Sequence, residues 1–314
     1  MAPRVFLPPP VPGRPGALRD RTSPVHQRTR RWLRVPLSAT GGPDVQHLTA
    51  RNTKAAAIHV STLSKDFRNR KGVVRHALDS VEFTVDPGRT TAVIGESGAG
   101  KSTLIRCVAG LEKPTKGAVL VGGVEVTAPK HGTTSPVQMV FQNPTDALNP
   151  VRSVGWSVAE PLRNLGKRDR RARVAELMTS VGIDPARYKE RPKAFSGGQL
   201  QRIVIARALA SSPDVLLCDE PTSALDVSVQ AQIINLLLDL QEKYQFACIV
   251  VTHDLAVARA LADDVVVLRH GSMLFSGSLS EMIGDAADLD PYVRQLVRSS
   301  HEMEIKKVEH EQVT

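Results

Sequence analysis

The chain is short of cysteine, of long apolar runs and, outside one segment, of net charge, and each shortage removes a class of protein. Three cysteines in 314 residues cannot build a disulfide scaffold. Cys107, Cys218 and Cys248 fall within apolar segments and lack metal-ligand spacing, so they are expected to be buried thiols in a reducing compartment. No apolar stretch approaches the roughly 18 to 20 residues that cross a bilayer, so any membrane pore would belong to another polypeptide. No internal repeat is present, which leaves an ordinary α/β protein as the expected class.

The net charge of +9 suggests a nucleic-acid partner until its distribution is read. Residues 1–54 hold ten Lys/Arg and two Asp/Glu, and the remaining chain carries 31 basic against 30 acidic side chains. The body is therefore almost neutral, and no nucleic acid is expected as a partner. The leading segment contains Pro8-Pro9-Pro10 and Arg28, Arg30, Arg31 and Arg34 without apolar periodicity, and reads as a disordered Pro/Arg-rich tail. Three roles stand open for it: a lipid-surface or nucleic-acid arm, an Arg-rich transit segment, or an incidental extension, which is the default. Prolines interrupt Val5-Phe6-Leu7, so a secretory hydrophobic core is not expected.

Chemistry concentrates in two places. The run Gly95-Glu96-Ser97-Gly98-Ala99-Gly100-Lys101-Ser102 follows the apolar strand pattern Thr91-Ala92-Val93-Ile94 and precedes the amphipathic pattern Ser102 to Val108. Glycines between a strand and a helix let backbone N–H groups curl around a polyphosphate, and the positive end of the helix dipole favours the same charge. Lys101 is suited to reach the outer phosphates and Ser102 to ligate Mg²⁺. The second place is Asp214-Val215-Leu216-Leu217-Cys218-Asp219-Glu220, an apolar strand ending in two carboxylates. Asp219 is suited to hold the hard cation, and Glu220 to orient and deprotonate an attacking water.

With these motifs in family order, the chain resembles the ATP-binding cassette (ABC) ATPases over roughly residues 57 to 284. Phe195-Ser196-Gly197-Gly198-Gln199-Leu200-Gln201-Arg202 is similar to the family signature, Ser223-Ala224-Leu225-Asp226 to its D-loop, Gln142 to its Q-loop glutamine and His253 to its switch histidine. The resemblance implies a P-loop NTPase cassette: a RecA-like core, an antiparallel β subdomain and a helical subdomain at about 143–195. The implied layout is a tail over 1–54, a cassette over 55–284 and a C-terminal extension with a polar tail over 285–314.

It also implies two cassettes packed head to tail, with ATP held between one subunit's Gly95, Glu96, Ser97, Gly98, Ala99, Gly100, Lys101, Ser102 and Thr103 and the other's Ser196, Gly197, Gly198, Gln199 and Asp226. Catalysis falls to Glu220, His253 and Gln142, and the metal to Ser102, Gln142 and Asp219. Two readings stand for Phe67: the aromatic that stacks on adenine, or a core phenylalanine.

The local spelling is similar to the ATPases of peptide and nickel importers, in Phe141-Gln142-Asn143-Pro144, Glu160-Pro161-Leu162 and Asp226-Val227-Ser228-Val229-Gln230. That branch implies membrane permease subunits, a second ATPase subunit (identical or different), a solute-binding protein acting indirectly, and a place on the cytoplasmic face of the membrane. Two departures stand out: Asp290-Pro291-Tyr292-Val293 replaces the branch's His-Pro-Tyr-Thr, and no cysteine follows Cys248, so its cysteine cluster is not expected. A DNA-repair ABC ATPase would need long coiled coils between the motifs, and the 118 residues from Lys101 to Asp219 leave no room for them. Soluble translation-linked or regulatory members commonly carry two cassettes; one is present here.

Overall fold

The computed structural model describes residues 57–68, 70–128, 135–284 and 289–299. The basic segment over 1–54 and the polar tail from Glu302 to Thr314 lie outside the described residues.

Among the described residues, ten strands form one sheet: β1 (Ile58–Arg68), β2 (Val74–Val85), β3 (Thr90–Ile94), β4 (Lys116–Val121), β5 (Val124–Glu125), β6 (Val137–Val140), β7 (Val215–Asp219), β8 (Ala247–Thr252), β9 (Asp264–Arg269) and β10 (Ser272–Ser278). Their spatial order is β5-β4-β1-β2-β10-β9-β3-β8-β7-β6. The half from β9 to β6 is parallel, and the half made of β1, β2, β4 and β5 is antiparallel. The two halves meet where β10 touches β2 at the single pair Ser272 and Asp79.

The parallel strands read as unbroken apolar runs because both of their faces are covered. In β7, Leu216 and Cys218 enter one core with helices from both before and after the strand, while Val215 and Leu217 enter another beneath the antiparallel half. In β9 and β3, Val265, Val267, Ala92 and Ile94 face a third core, and Val266, Leu268 and Val93 face the second. The period of two is thus kept, with different partners on each side.

Helices α1 (Lys101–Val108), α2 (Pro144–Ala147), α3 (Val154–Ala159), α4 (Lys167–Ser180), α5 (Gly197–Leu209), α6 (Val227–Tyr244), α7 (Leu255–Leu261) and α8 (Leu279–Gly284) fill the intervals, and a ninth, α9, covers 291–299. The charged α4 buries only Val174, Leu177 and Met178, spaced i, i+3, i+4, so its Arg/Lys run is a solvated face. In α5 the C-terminal turn is tied outward: Arg207 donates to the Ala147 carbonyl at 2.6 Å and to Glu160 Oε2 at 2.8 Å. All three cysteines are buried and free, and burial pushes the Cys107 thiol up to about 11.

Candidate nucleotide site

Parallel register sets the site. Ile94 aligns with Thr252, Val251 with Asp219, and Cys218 with Val140, so the chain leaves β3, β8, β7 and β6 at one edge of the sheet. Crevices outside the carboxyl ends of such strands are where open α/β sheets bind ligands.

The Gly95–Lys101 loop is shaped by backbone limits. Gly100 has φ +107, and a Cβ there would stand 2.6 Å from the Ala77 carbonyl oxygen. At Gly95, a Cβ would overlap the Leu268 carbonyl oxygen. Gly98, by contrast, has φ +83 and open space on its exposed side. Among the described residues, no hydrogen bond uses the N–H of Ser97, Gly98 or Gly100. Helix α1 begins at Gly100 without a side-chain cap, so the positive end of its dipole adds to these donors. A polyphosphate fits such a concavity of unpaired amides.

Lys101 is 7% exposed, and its ammonium donates to the carbonyls of Gly95 (2.7 Å) and Glu96 (2.9 Å). Burial lowers its pKa, against the opposing pull of Glu220 and Asp219. Burial raises the pKa of Asp219, with Glu220 adding to the effect and Arg106 and Lys101 opposing it. Ser102 and Thr103 follow on the first turn, Ser102 exposed.

Glu220 sits between two partners. Gln142 Nε2 donates to Glu220 Oε2 at 3.2 Å, and His253 Nδ1 lies 3.3 Å from Oε1. The residue has φ +46, a left-handed conformation costly for a side chain of this kind. Its N–H bonded to the Val251 carbonyl at 2.9 Å holds it there. Strain at a carboxylate flanked by a strand end is a common mark of a reacting position. Gln142 also donates to Ser223 Oγ at 3.1 Å, and Ser223 Oγ in turn donates to the Glu220 carbonyl. Ser223 therefore belongs to the cluster, although the sequence named it only as the first residue of the run similar to the D-loop and gave it no role at the site.

Other expected residues share no hydrogen bond with this cluster. Ser196 caps α5, accepting from the Gln199 N–H at 3.4 Å, while the Gln199 side chain accepts from the Ser196 N–H at 3.1 Å. A Cβ on Gly198 would stand 2.5 Å from Val229 Cγ1 of α6, so only glycine fits there without a shift. Asp226 precedes α6 and is exposed, with no capping bond from its side chain. Phe67 is 38% exposed near the end of β1, with the Lys65 ammonium 4.9 Å from its ring centre. An exposed ring is not a core phenylalanine, and a flat apolar face at the surface is what base stacking requires.

The fold and the loop define a P-loop nucleotide-binding α/β protein. Residues 78–223 match the ABC transporter family. The chain is 44% identical over 231 residues to a di/tripeptide transport ATP-binding protein, DppF, of Pseudomonas aeruginosa, covering 71% of each. It is 40% identical over 304 residues to a putative peptide import ATP-binding protein of Brucella melitensis, covering 89% of this chain and 80% of that one. Among solved structures, a dimeric ATP-binding cassette in a post-hydrolysis state bound to ADP and Pi is similar, with a TM-score of 0.63, 29% identity, and coverage of 71% of this chain and 98% of that one. The chain belongs to the ABC transporter family, and it is an ATP-binding, ATP-hydrolysing member.

Proposed function

We propose that the chain is the Mg²⁺-dependent ATPase subunit of an importer that takes up peptides, or nickel or related small solutes, through separate membrane subunits. The observation that carries this is the Glu220 carboxylate bridged by Gln142 and His253 at the sheet edge beside the Lys101 loop. The names of the similar proteins support peptides as cargo.

ATP supplies the phosphoryl group when bound, and the chain's residues arrange its surroundings. Amides of Ser97, Gly98 and Gly100 would donate to the β- and γ-phosphates, and the Lys101 ammonium would exchange its loop carbonyls for phosphate oxygens. Ser102 and Asp219 offer a hydroxyl and a carboxylate, with Gln142 nearby, which suits a hard cation that draws its remaining ligands from phosphate and water. Glu220 Oε would accept a proton from the attacking water, His253 would steady the γ-phosphate, and Phe67 would stack on adenine. The cassette is assigned to residues 55–284 with a helical arm over 143–195. Ser196, Gly197, Gly198, Gln199 and Asp226 face the nucleotide of a partner cassette, identical or not.

No helix among the described residues is long and apolar enough to cross a membrane. The subunit is placed peripherally, on the cytoplasmic face, by its permease partners, and a solute-binding protein is an indirect partner. The test is Glu220→Gln in the purified chain: ATP binding is retained, ATP-bound dimers accumulate on size exclusion, and hydrolysis falls by about 10² to 10⁴. Normal turnover in that variant would remove the general-base assignment. For cargo, a pull-down of membrane partners followed by peptide-stimulated ATPase in vesicles decides between peptide and metal uptake.

A further inference from the structure

Helix α9, over 291–299, lies outside the matched family segment and outside the expected cassette, yet it reaches the phosphate loop. Asp290 starts it by accepting from the Tyr292 N–H at 2.8 Å, with Pro291 in the first turn. Tyr292, Val293 and Val297 are buried against Ala92 and Ile94 of β3 and Val265 and Val267 of β9. Tyr292 is 5% exposed, and the Arg269 guanidinium stands 4.7 Å from its ring centre. Its phenolic oxygen accepts from the Glu96 N–H at 3.1 Å.

That N–H and the Gly95 carbonyl belong to one peptide group, and in a trans peptide they point in opposite directions. The carbonyl is the one that receives the Lys101 ammonium at 2.7 Å. One peptide plane is therefore gripped from both sides, by a phenol on one and by the Lys101 ammonium on the other. Gly95, at φ +155, has a backbone otherwise free to rotate this plane.

We propose that Tyr292 is a positioning residue for ATP binding: by fixing the Gly95–Glu96 peptide, it sets where the Lys101 ammonium waits and how the loop's amides face the phosphates. This rests on reading the loop as the ATP cradle. Once Tyr292 no longer holds the amide, the plane can turn, the carbonyl leaves Lys101, and binding must first restore the loop.

The test uses the full chain with Tyr292→Phe, which keeps the ring, its packing and the Arg269 contact. Loss of one buried hydrogen bond should weaken ATP affinity about three- to tenfold. The rate at saturating ATP should change less than twofold, and hydrogen exchange of the Glu96 amide should accelerate about tenfold. Val297→Ala serves as the comparison, loosening α9 without touching the phenol. It should lower Tm by about 3–6 °C while ATP affinity and Glu96 exchange stay near wild type. If Tyr292→Phe leaves both affinity and Glu96 exchange unchanged while Lys101→Ala loses affinity, the positioning role is overturned and the cradle stands. If the two α9 variants lose affinity in proportion to Tm, Tyr292 is only part of the packing and the proposal fails. If Lys101→Ala binds ATP normally, the cradle reading falls and takes the proposal with it.

Discussion

Two glycine-flanked helix starts lie on this chain, and they are finished in opposite ways. Helix α1 begins bare: Gly100 offers no side chain, and the N–H groups of Ser97, Gly98 and Gly100 are unpaired among the described residues. Helix α5 begins sealed, with Ser196 and Gln199 satisfying each other's backbone N–H groups in a capping box. In the proposed function the bare start takes the phosphates of the nucleotide its own chain binds. The sealed start keeps its shape without a ligand, which suits its proposed place against a nucleotide held by a second subunit.

The largest expected effect that would break this contrast is at the bare start. Gly100→Ala puts a Cβ against the Ala77 carbonyl in a left-handed conformation, a strain of about 1–3 kcal/mol before the collision is counted. ATP titration should show affinity reduced by a hundredfold or more, with a lower Tm; retained affinity would mean the loop tolerates filling and is not a tight cradle. Next in size, Ser196→Ala should cost about 1 kcal/mol of stability, or roughly 2–4 °C in a melt. The single chain's ATP affinity should be unchanged while hydrolysis by the assembled dimer drops. A fall in single-chain affinity as large as that of Lys101→Ala would show both starts serving one nucleotide within one chain. Gln199→Ala removes only the reciprocal half of the box and should cost about half as much, read by the same melt.

The smallest effect concerns charge around the bare start. Burial and Glu220 hold the Asp219 carboxyl above its usual range, so the folded chain binds that proton more tightly than the unfolded chain. The stability this group contributes is present at acid pH and is lost as pH rises through its folded value. Without Mg²⁺ or nucleotide, the Tm of Asp219→Asn should therefore gain on wild type from acid to neutral pH. A gap that closes instead would contradict the electrostatic account.

Most of the site was legible because its parts are spelled in short runs. A strand followed by glycines and Lys101, and a strand ending in Asp219-Glu220, each carry their own context. Two of the parallel strands, β3 and β7, were readable from apolar runs that need no long-range knowledge. What escaped depends on distant packing. In β10, Ser272–Ser278 is only partly buried and rich in serine, so it lacks the pattern that marks a strand. Helix α9 is announced only by Asp290-Pro291 and by apolar residues at 292, 293, 296 and 297, a signal that a nine-residue segment near a polar tail obscures. The Tyr292 contact spans 196 residues, and no local pattern encodes it. The Phe195 to Arg202 run was read for its likeness to the family signature, while its Ser196-x-x-Gln199 spacing is also that of a capping box.

One tie gives these parts a mechanical consequence. Arg207 grips Ala147 and Glu160 near one end of α5, and Ser196 stands at the other, with ten helical residues, about 16 Å, between them. Under the proposed role, a push on the turn behind Gln142 would reach the face meant for a neighbouring cassette along this one helix, with no strand in its path.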